Sequence, residues 1–183
     1  FDKSVDLRIR AFGHDGTVYK PMQAQYSRVK LSDSVKIKNL SPGLYYEYYE
    51  GSWSKLPNFD SLKPVATGVA PDLEVSNYAK RKDNFAMRLK GYVNIPADDV
   101  YNIKLRCNDG ARLFIDGQKI AELDGTRFEA RFRDGKIGLE KGLHSIEIEY
   151  FQLKKRFTLQ LSYRSVTQNW KKLGEKDFLV ESN

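Results

Sequence analysis

Apolar and polar residues alternate with a period of two along much of the chain. In residues 5–11, for example, Val5, Leu7 and Ile9 alternate with charged residues. This period is typical of a β-strand with one buried face, because successive strand side chains point to opposite sides. Further runs occur at residues 85–89, 101–105, 113–115, 146–150 and 157–163. Helical periodicity is scarce, so the pattern predicts an all-β protein.

Asp-Gly dipeptides separate many of these runs. They occur at residues 15–16, 109–110, 116–117, 124–125 and 134–135. Both residue types tolerate the positive φ angles of tight hairpin turns. Many short strands joined by such turns favour an antiparallel β-sandwich or barrel.

The strand pattern divides near residues 41–43. Residues 1–42 contain two predicted strands, which form an N-terminal β-hairpin segment. A hairpin alone is marginally stable, so it either packs on the main domain or is the remaining half of a small domain. We predict the main β domain over residues 43–165. Residues 166–183 follow as a C-terminal extension that forms a final strand or a clasp.

The composition excludes several classes of protein. The 183 residues include 31 Lys or Arg and 24 Asp or Glu, a net charge of +7, and 40% are hydrophobic. That hydrophobic share is sufficient for a packed core. No apolar run approaches the roughly 20 residues that a membrane-spanning helix needs. The single cysteine, Cys107, excludes an internal disulfide.

The positive charge is concentrated near the two ends of the chain. Lys and Arg outnumber Asp and Glu by 8 to 4 in residues 1–42 and by 7 to 3 in residues 154–183, whereas residues 43–153 have 16 against 17. Nucleic-acid-binding proteins usually concentrate positive charge on one recognition face. This linear distribution therefore argues against nucleic acid as a partner.

No catalytic constellation is recognisable in the sequence. His14 and His144 have no partner at a metal-ligand spacing, and His144 alternates with strand residues as a structural hydrogen-bonding residue does. Cys107 lies in a strand pattern typical of a small buried side chain. Asp98 and Asp99 are adjacent, so on a strand their carboxyl groups point to opposite faces. We therefore do not expect this chain to be an enzyme by itself.

An ordered set of motifs runs through the middle of the chain. The motifs are Gly-Leu-Tyr-Tyr-Glu-Tyr-Tyr-Glu-Gly at residues 43–51, Asp-Asn-Phe-Ala at 83–86, Gly-Tyr-Val-Asn-Ile-Pro at 91–96, Cys-Asn-Asp-Gly-Ala-Arg-Leu-Phe-Ile-Asp-Gly at 107–117 and Gly-Leu-His-Ser-Ile at 142–146. In this order and spacing they resemble the PA-fourteen domain, the β-barrel module named after anthrax protective antigen. The resemblance covers residues 43–165 and implies a carbohydrate-associated role.

The beginning of the chain carries a second resemblance. Val-Asp-Leu-Arg-Ile-Arg-Ala-Phe at residues 5–12, followed by Asp15-Gly16, is similar to the second half of the small β domain found after chitobiase and β-hexosaminidase catalytic domains. Together the two neighbours imply the C-terminal region of a bacterial glycoside hydrolase, a β-N-acetylhexosaminidase. Because the chain begins with Phe1, we expect a piece of a longer protein that is periplasmic, secreted or at the cell surface.

Asn108 and Asp109 are the first candidate site. The resemblance implies that two consecutive acids hold a calcium ion here in sugar-binding members, and that the ion binds sugar hydroxyls. Calcium takes about six to eight oxygen ligands, so two hydroxyls can complete its shell. In this chain Asn108 replaces the first acid, and the second ligand loop falls near residues 150–156, a basic stretch without acids. The alternative is that Asn-Asp-Gly only shapes a hairpin turn.

Aromatic and loop residues are the second candidate site. If the tyrosine-rich motif at residues 43–51 is extended, alternation places Tyr46 and Tyr48 on one face and Tyr45 and Tyr49 on the other. Pyranose rings stack on such side chains, although one of the two sets must fill the core. Asp83 and Asn84 lie in a predicted loop, where they either hydrogen-bond sugar hydroxyls or cap turns.

We therefore predict a non-catalytic carbohydrate-binding module of a secreted or periplasmic glycoside hydrolase. Its partners are a glycan and the parent catalytic domain, and calcium is the cofactor that the resemblance raises. The alternative is a structural or protein-interaction module that packs on the parent catalytic domain without binding sugar. A concave, aromatic-rimmed pocket on the folded domain favours the first interpretation.

Overall fold

The computed structural model describes residues 3–154, 157–165 and 168–182. Its contacts divide the chain into two compact units, residues 1–30 and 31–183. In the first unit, β1 (Val5–Ile9) pairs antiparallel with β2 (Met22–Tyr26), which confirms the predicted N-terminal hairpin. Many of the large apolar side chains of this unit are exposed, among them Phe12, Val18, Tyr19 and Met22.

The second unit consists mainly of β-strands. Their bounds are β3 (Leu40–Pro42), β4 (Leu44–Glu50), β5 (Ala66–Ala70), β6 (Phe85–Ile95), β7 (Asp99–Cys107), β8 (Gly110–Ile115), β9 (Gln118–Leu123), β10 (Arg131–Leu139), β11 (Gly142–Gln152), β12 (Leu159–Arg164), β13 (Lys171–Lys172) and β14 (Phe178–Glu181). Short 3₁₀ turns occur at Phe59–Ser61, Val75–Asn77 and Glu175–Asp177. Within the described ranges, no helix has the length and apolar character needed to cross a membrane.

These strands form two antiparallel sheets. The larger sheet has the order β9-β8-β11-β6, and the other side of β6 pairs with β4 and, after Lys90, with β14. β5 extends this sheet beyond β4, and β3 extends it beyond β14. The smaller sheet has the order β10-β7-β12-β13. The predicted antiparallel sandwich is confirmed, and the described strands do not close into a barrel.

The main apolar core lies between the two sheets. Tyr101 and Leu105 of β7 pack there from the smaller sheet, and Leu89 and Ile148 pack there from the larger one. Cys107 is fully buried in the same core. Burial raises the pKa of its thiol to about 12, so the thiol stays protonated and unreactive.

A smaller apolar cluster lies on the opposite face of the larger sheet. It contains Tyr49, Ala86 and Phe151 from three neighbouring strands and Phe59 from the loop after β4. Strand alternation explains it, because Tyr48 points into the main core and Tyr49 therefore points the other way. The loop that follows β4 is thereby held against the outer face of the sheet.

Both ends of the second unit contribute to the larger sheet. β14 pairs antiparallel with β3 and with β6, so it lies between these two strands in the sheet. Residues from the predicted segments 1–42 and 166–183 therefore form neighbouring strands of one sheet.

The Asp-Gly dipeptides do not all form turns. Asp109 and Asp116 have positive φ angles of 54° and 49°, as the turn prediction requires. The prediction is wrong for Asp134 and Gly135, which lie inside β10. The reason for glycine there is space, because a Cβ on Gly135 would lie 2.1 Å from the carbonyl oxygen of Ile120 in β9. Glycine inside a strand often marks such a close approach of two backbones.

His144 is a fully buried hydrogen-bonding residue. Its Nδ1 lies 2.7 Å from Oδ2 of Asp116, and its Nε2 lies 2.9 Å from the carbonyl oxygen of Glu140. The other carboxylate oxygen of Asp116 accepts from the backbone N–H of Ser145 at 3.0 Å. Asp116 thus ties the β8–β9 turn to β11.

We expect the Asp116→Ala substitution to lower the free energy of unfolding by about 2 kcal/mol, because it leaves a buried ring nitrogen and a backbone N–H without their acceptor. Urea denaturation followed by circular dichroism measures this change. Asp98→Ala, at an exposed carboxylate that accepts one hydrogen bond, is the control and should cost less. Equal losses for the two variants would contradict the role assigned to Asp116.

Candidate functional site

The Asn108–Asp109 turn connects β7 to β8 and is buried. Asp109 is 2% exposed, and its carboxylate accepts several backbone hydrogen bonds. Oδ1 accepts from the N–H of Arg127 at 2.9 Å. Oδ2 accepts from the N–H of Leu153 at 2.8 Å and from the N–H of Lys154 at 3.4 Å. The carboxylate therefore joins two separate loops to the turn.

The side chain of Arg127 strengthens the same junction. Its guanidinium donates to the carbonyl oxygen of Asp109 at 2.7 Å and to that of Gly125 at 2.9 Å. It also donates to the carbonyl oxygen of Asp124. The carbonyl oxygens beside the turn are therefore already hydrogen-bonded to a positively charged side chain.

Asn108 and Asn84 complete this end of the sandwich. The side-chain amide of Asn108 donates to the carbonyl oxygens of Arg127 and Phe128 at 3.4 and 3.3 Å, while its buried Oδ1 has no partner among the described residues. The N–H of Asn84 donates to the carbonyl oxygen of Leu153 at 3.1 Å. The structure thus brings Asn84, with the adjacent Asp83, close to the Asn108–Asp109 turn.

The described residues at this turn do not match the ligand set of calcium. Calcium requires several oxygen ligands, usually including more than one carboxylate. Here both oxygens of the Asp109 carboxylate face N–H donors, and the guanidinium of Arg127 lies alongside. Within the described residues, no group of three or more His, Cys, Asp or Glu side chains is arranged to hold a metal. The geometry favours the hairpin-turn interpretation of Asn108 and Asp109.

We expect the thermal midpoint of this protein to be the same within about 1 °C in calcium and in a chelator, because a ligand stabilises a fold only by binding it. Differential scanning calorimetry at millimolar calcium checks this result. A chelator-sensitive midpoint that depends on Asp109 would instead establish the calcium site.

The predicted sugar-stacking tyrosines lie elsewhere in the fold. Tyr48 is fully buried in the main core, and its ring stacks on that of Phe85 at a centroid distance of 5.6 Å. Tyr46 is partly buried against the same core and contacts the ring of Tyr78. A ligand in solvent cannot reach the ring of Tyr48. Alternation instead leaves Tyr45 on the outer face, 38% exposed.

The outer face of the larger sheet carries a groove with a volume of about 860 Å³. A row of alternating charges runs across this face, because the strand register places one charged residue of each of five adjacent strands side by side. The three central members of the row line the groove. This charged row consists of Glu47 on β4, Arg88 on β6, Glu149 on β11, Arg112 on β8 and Glu122 on β9.

The charged row is held by short ion pairs. Nε of Arg88 lies 2.7 Å from Glu47, and its Nη1 lies 2.6 Å from Asp60 in the loop after β4. Nη1 of Arg112 lies 3.0 Å from Glu149. Burial raises the pKa of Glu149, although the charge of Arg112 opposes this shift. The groove floor is therefore polar and fixed in position.

A second row beside the first adds aromatic side chains. Register pairs Tyr45 with Lys90, Lys90 with Glu147, and Glu147 with Phe114. Nζ of Lys90 lies 3.8 Å from the carboxylate of Glu147. Tyr92, the next outward residue of β6 after Lys90, also lines the groove and lies beside β14. Rings thus flank the central charges on both sides.

The walls of the groove come from distant parts of the chain. Residues 56–60 form one wall, and Val180 and Glu181 of β14 contribute to the lining. The hydroxyl of Tyr92 donates to Glu181 at 2.6 Å, which fixes the end of β14 against the sheet. The pattern of residues along the chain did not predict this groove. The signal that could have found it is the charge at the outward positions of two long strands, Arg88 with Lys90 and Glu147 with Glu149.

Comparisons with known proteins agree with this architecture. The sequence model of the PA14 domain matches residues 40–181. A PA14 sugar-binding domain from an RTX adhesin superposes with a TM-score of 0.62 at 19% identity, covering 76% of this chain and 98% of that one. The PA14 domain of the MpAFP antifreeze protein gives a TM-score of 0.65 at 17% identity, with coverage of 83% and 97%.

A more distant neighbour is the epithelial adhesin 9 A domain of Candida glabrata in complex with Galβ1-3GlcNAc. It gives a TM-score of 0.63 at 11% identity and covers 84% of this chain and 95% of that one. A search of curated protein sequences gave no significant match. Since the family model matches well over half of the residues, the chain belongs to the PA14 domain family.

Proposed function

We propose that this protein is a carbohydrate-binding module whose ligand lies in the groove on the larger sheet. The observation that carries the proposal is the combination of a large open groove, a row of mutually fixed charged groups and flanking aromatic rings. Ligand sites are concave and combine apolar surface with a few fixed polar groups. A sugar presents the same combination, with hydroxyls at its edge and C–H groups on its faces.

The paired charges suit a neutral glycan. Each ion pair retains lone pairs and N–H groups that are directed away from its partner, so sugar hydroxyls can both donate and accept along the row. Lys90 and Glu147 provide one donor and one acceptor group at the centre, and the rings of Tyr45 and Phe114 lie in the same row on either side. Ion pairs already fix Arg88 and Arg112, so contacts between a sugar and these two side chains cost little conformational entropy.

Similar solved domains support a carbohydrate ligand, and one of them is part of a glycoside hydrolase. The similar domain from the RTX adhesin is described as sugar-binding, and the adhesin domain from Candida glabrata was crystallised with a disaccharide. A GH31 α-xylosidase from Xanthomonas citri also contains a similar fold, with a TM-score of 0.54 and 15% identity over 78% of this chain and 16% of that one. We propose that the module acts outside the cytoplasm and is attached to a glycoside hydrolase, with a β-N-acetylhexosaminidase as the specific candidate.

The test is a glycan array of neutral oligosaccharides, followed by calorimetry on the best ligand. We expect Tyr45→Ala to weaken binding about tenfold, which corresponds to about 1.4 kcal/mol. Tyr19→Ala removes an exposed tyrosine from the N-terminal hairpin and is the matched control, with unchanged affinity.

Two results would contradict the groove as the glycan site. Equal affinity of Tyr45→Ala and the parent protein would place the glycan elsewhere on the domain. Absence of binding to every neutral glycan would favour the alternative, a module that packs on its parent catalytic domain without contacting sugar.

A further inference from the structure

The outer face of the smaller sheet has a different charge from the groove. Register brings outward positions of β10, β7, β12 and β13 into three parallel rows. The first row contains Phe132, Arg106 and Gln160, the second contains Asp134, Lys104, Ser162 and Lys172, and the third contains Lys136, Asn102 and Arg164. We call this surface the basic face. It carries five cationic side chains and one acidic one.

Two aromatic rings position the central cation of the basic face. Nζ of Lys104 lies 4.9 Å from the ring centre of Phe132 and 4.1 Å from that of Trp170. The guanidinium of Arg164 lies 5.0 Å from the same Trp170 ring. Such contacts hold a cation in place without neutralising it. Phe132 is 61% exposed, so this arrangement lies open to solvent.

The cations of the basic face have no acidic partner within the part of the chain that the structure describes. Among residues 3–154, 157–165 and 168–182, no ion pair involves Lys104, Arg106, Lys136, Arg164 or Lys172. In the groove, by contrast, Arg88 and Arg112 each contact two carboxylates. One outer face of the sandwich is therefore internally compensated, and the other retains its positive charge.

We propose that the basic face binds an anionic polysaccharide, one that carries a carboxylate or sulfate on most of its sugar units. The argument is charge complementarity. A regular polyanion can contact several cations at once, and Arg106 and Arg164 can each bind a carboxylate or sulfate through two parallel N–H groups. Neighbouring outward residues on a strand lie about 7 Å apart and neighbouring strands about 5 Å apart, which presents the cations as a grid rather than a single point. This proposal does not depend on the groove.

The aromatic rings favour a polysaccharide over a single-stranded nucleic acid. Nucleic acids bind basic surfaces by stacking bases on free ring faces. Here Lys104 and Arg164 both lie within about 5 Å of the centre of the Trp170 ring, so a base would have to displace one of them in order to stack there. Phe132 is then a single exposed ring, whereas a nucleic acid needs several rings for successive bases. An acidic sugar needs no such displacement, because its charged group contacts the cations directly.

The experiment measures binding of polygalacturonate to the full chain by calorimetry at several salt concentrations. The test variant is Lys104→Gln with Arg164→Gln, and the matched control is Lys80→Gln with Lys82→Gln, which removes the same charge from an exposed loop. We expect the test variant to bind at least about tenfold more weakly. The slope of log affinity against log salt should fall by about two, one for each lost contact. The control should stay within about twofold of the parent protein.

Several outcomes would overturn the proposal. Equal weakening in both double variants would show only non-specific attraction to net charge. Tighter binding of single-stranded poly(dT) than of polygalacturonate would identify a nucleic-acid surface instead, and absence of polygalacturonate binding at 150 mM salt would remove the site. Neutral dextran is the uncharged control ligand. Tyr45→Ala should leave polygalacturonate binding unchanged, so the failure of the groove and the failure of the basic face are distinguishable.

Discussion

Replacement of Asp109 by alanine is expected to lower the free energy of unfolding by about 3 kcal/mol. The side chain is buried, and its carboxylate accepts from the backbone N–H groups of Arg127, Leu153 and Lys154. Hydrogen bonds to a charged acceptor are about twice as strong as neutral ones. Alanine removes the acceptor and leaves partly buried N–H groups without partners, each at a cost of about 1 kcal/mol. Chemical denaturation monitored by tryptophan fluorescence measures the loss.

Asp109→Asn separates the charge from the geometry. It retains one acceptor oxygen, so we expect an intermediate loss of stability. Glycan affinity provides a second readout, measured at a temperature where each variant is folded. An unchanged affinity agrees with a ligand in the groove, whereas abolished binding by a fully folded Asp109→Asn protein would return the sugar site to the Asn108–Asp109 turn. A loss of stability below about 0.5 kcal/mol for Asp109→Ala would contradict the structural role of the carboxylate.

Strand periodicity predicted much of the fold. In β4, the alternation of tyrosines predicted that Tyr46 and Tyr48 share a face, and the structure has both against the main core. The period of two is local, so it can be read from a few residues. Which of the two faces is buried depends on the partner sheet, and for this reason the sequence could not decide that Tyr45 is the exposed ring.

The groove could not be predicted because it depends on register between distant strands. Glu47, Arg88 and Glu149 are far apart in sequence and become neighbours only when β4, β6 and β11 align. The basic face has the same origin. A count along the chain found no net positive charge in residues 43–153, yet strand pairing gathers Lys104, Arg106 and Lys136 of that stretch on one outer face, together with Arg164 and Lys172. A linear charge count averages over both faces, so it underestimated the local charge.

The two outer faces of the sandwich differ in charge, so they suit different classes of glycan. The groove presents compensated charges with rings, which suits an uncharged sugar, and the basic face presents uncompensated charges, which suits an acidic polymer. A domain with both could bind a composite glycan or hold a neutral chain close to an acidic one. The gain from two linked contacts is an increase in effective concentration rather than a stronger single site.

The close approach of β10 to β9 gives the last prediction, and it concerns a glycine that the sequence assigned to a turn. A Cβ on Gly135 would lie 2.1 Å from the carbonyl oxygen of Ile120 and 2.6 Å from its Cγ2. Since the first contact is with backbone, no rotamer change can relieve it, and β10 would have to move. We expect Gly135→Ala to lower the free energy of unfolding by about 3 kcal/mol.

Gly174→Ala is the matched control for this glycine. Gly174 has a φ of −141°, and a Cβ placed on it would have no atom within 4 Å, so a methyl group should change stability by less than about 0.5 kcal/mol. Thermal and urea denaturation of the two variants in parallel measures the difference. Because β10 carries Phe132 and Lys136, a displaced β10 should also weaken polygalacturonate binding while the groove on the other sheet keeps its affinity for neutral glycan. Equal stability of the two variants would mean that β9 and β10 are further apart than the structure has them.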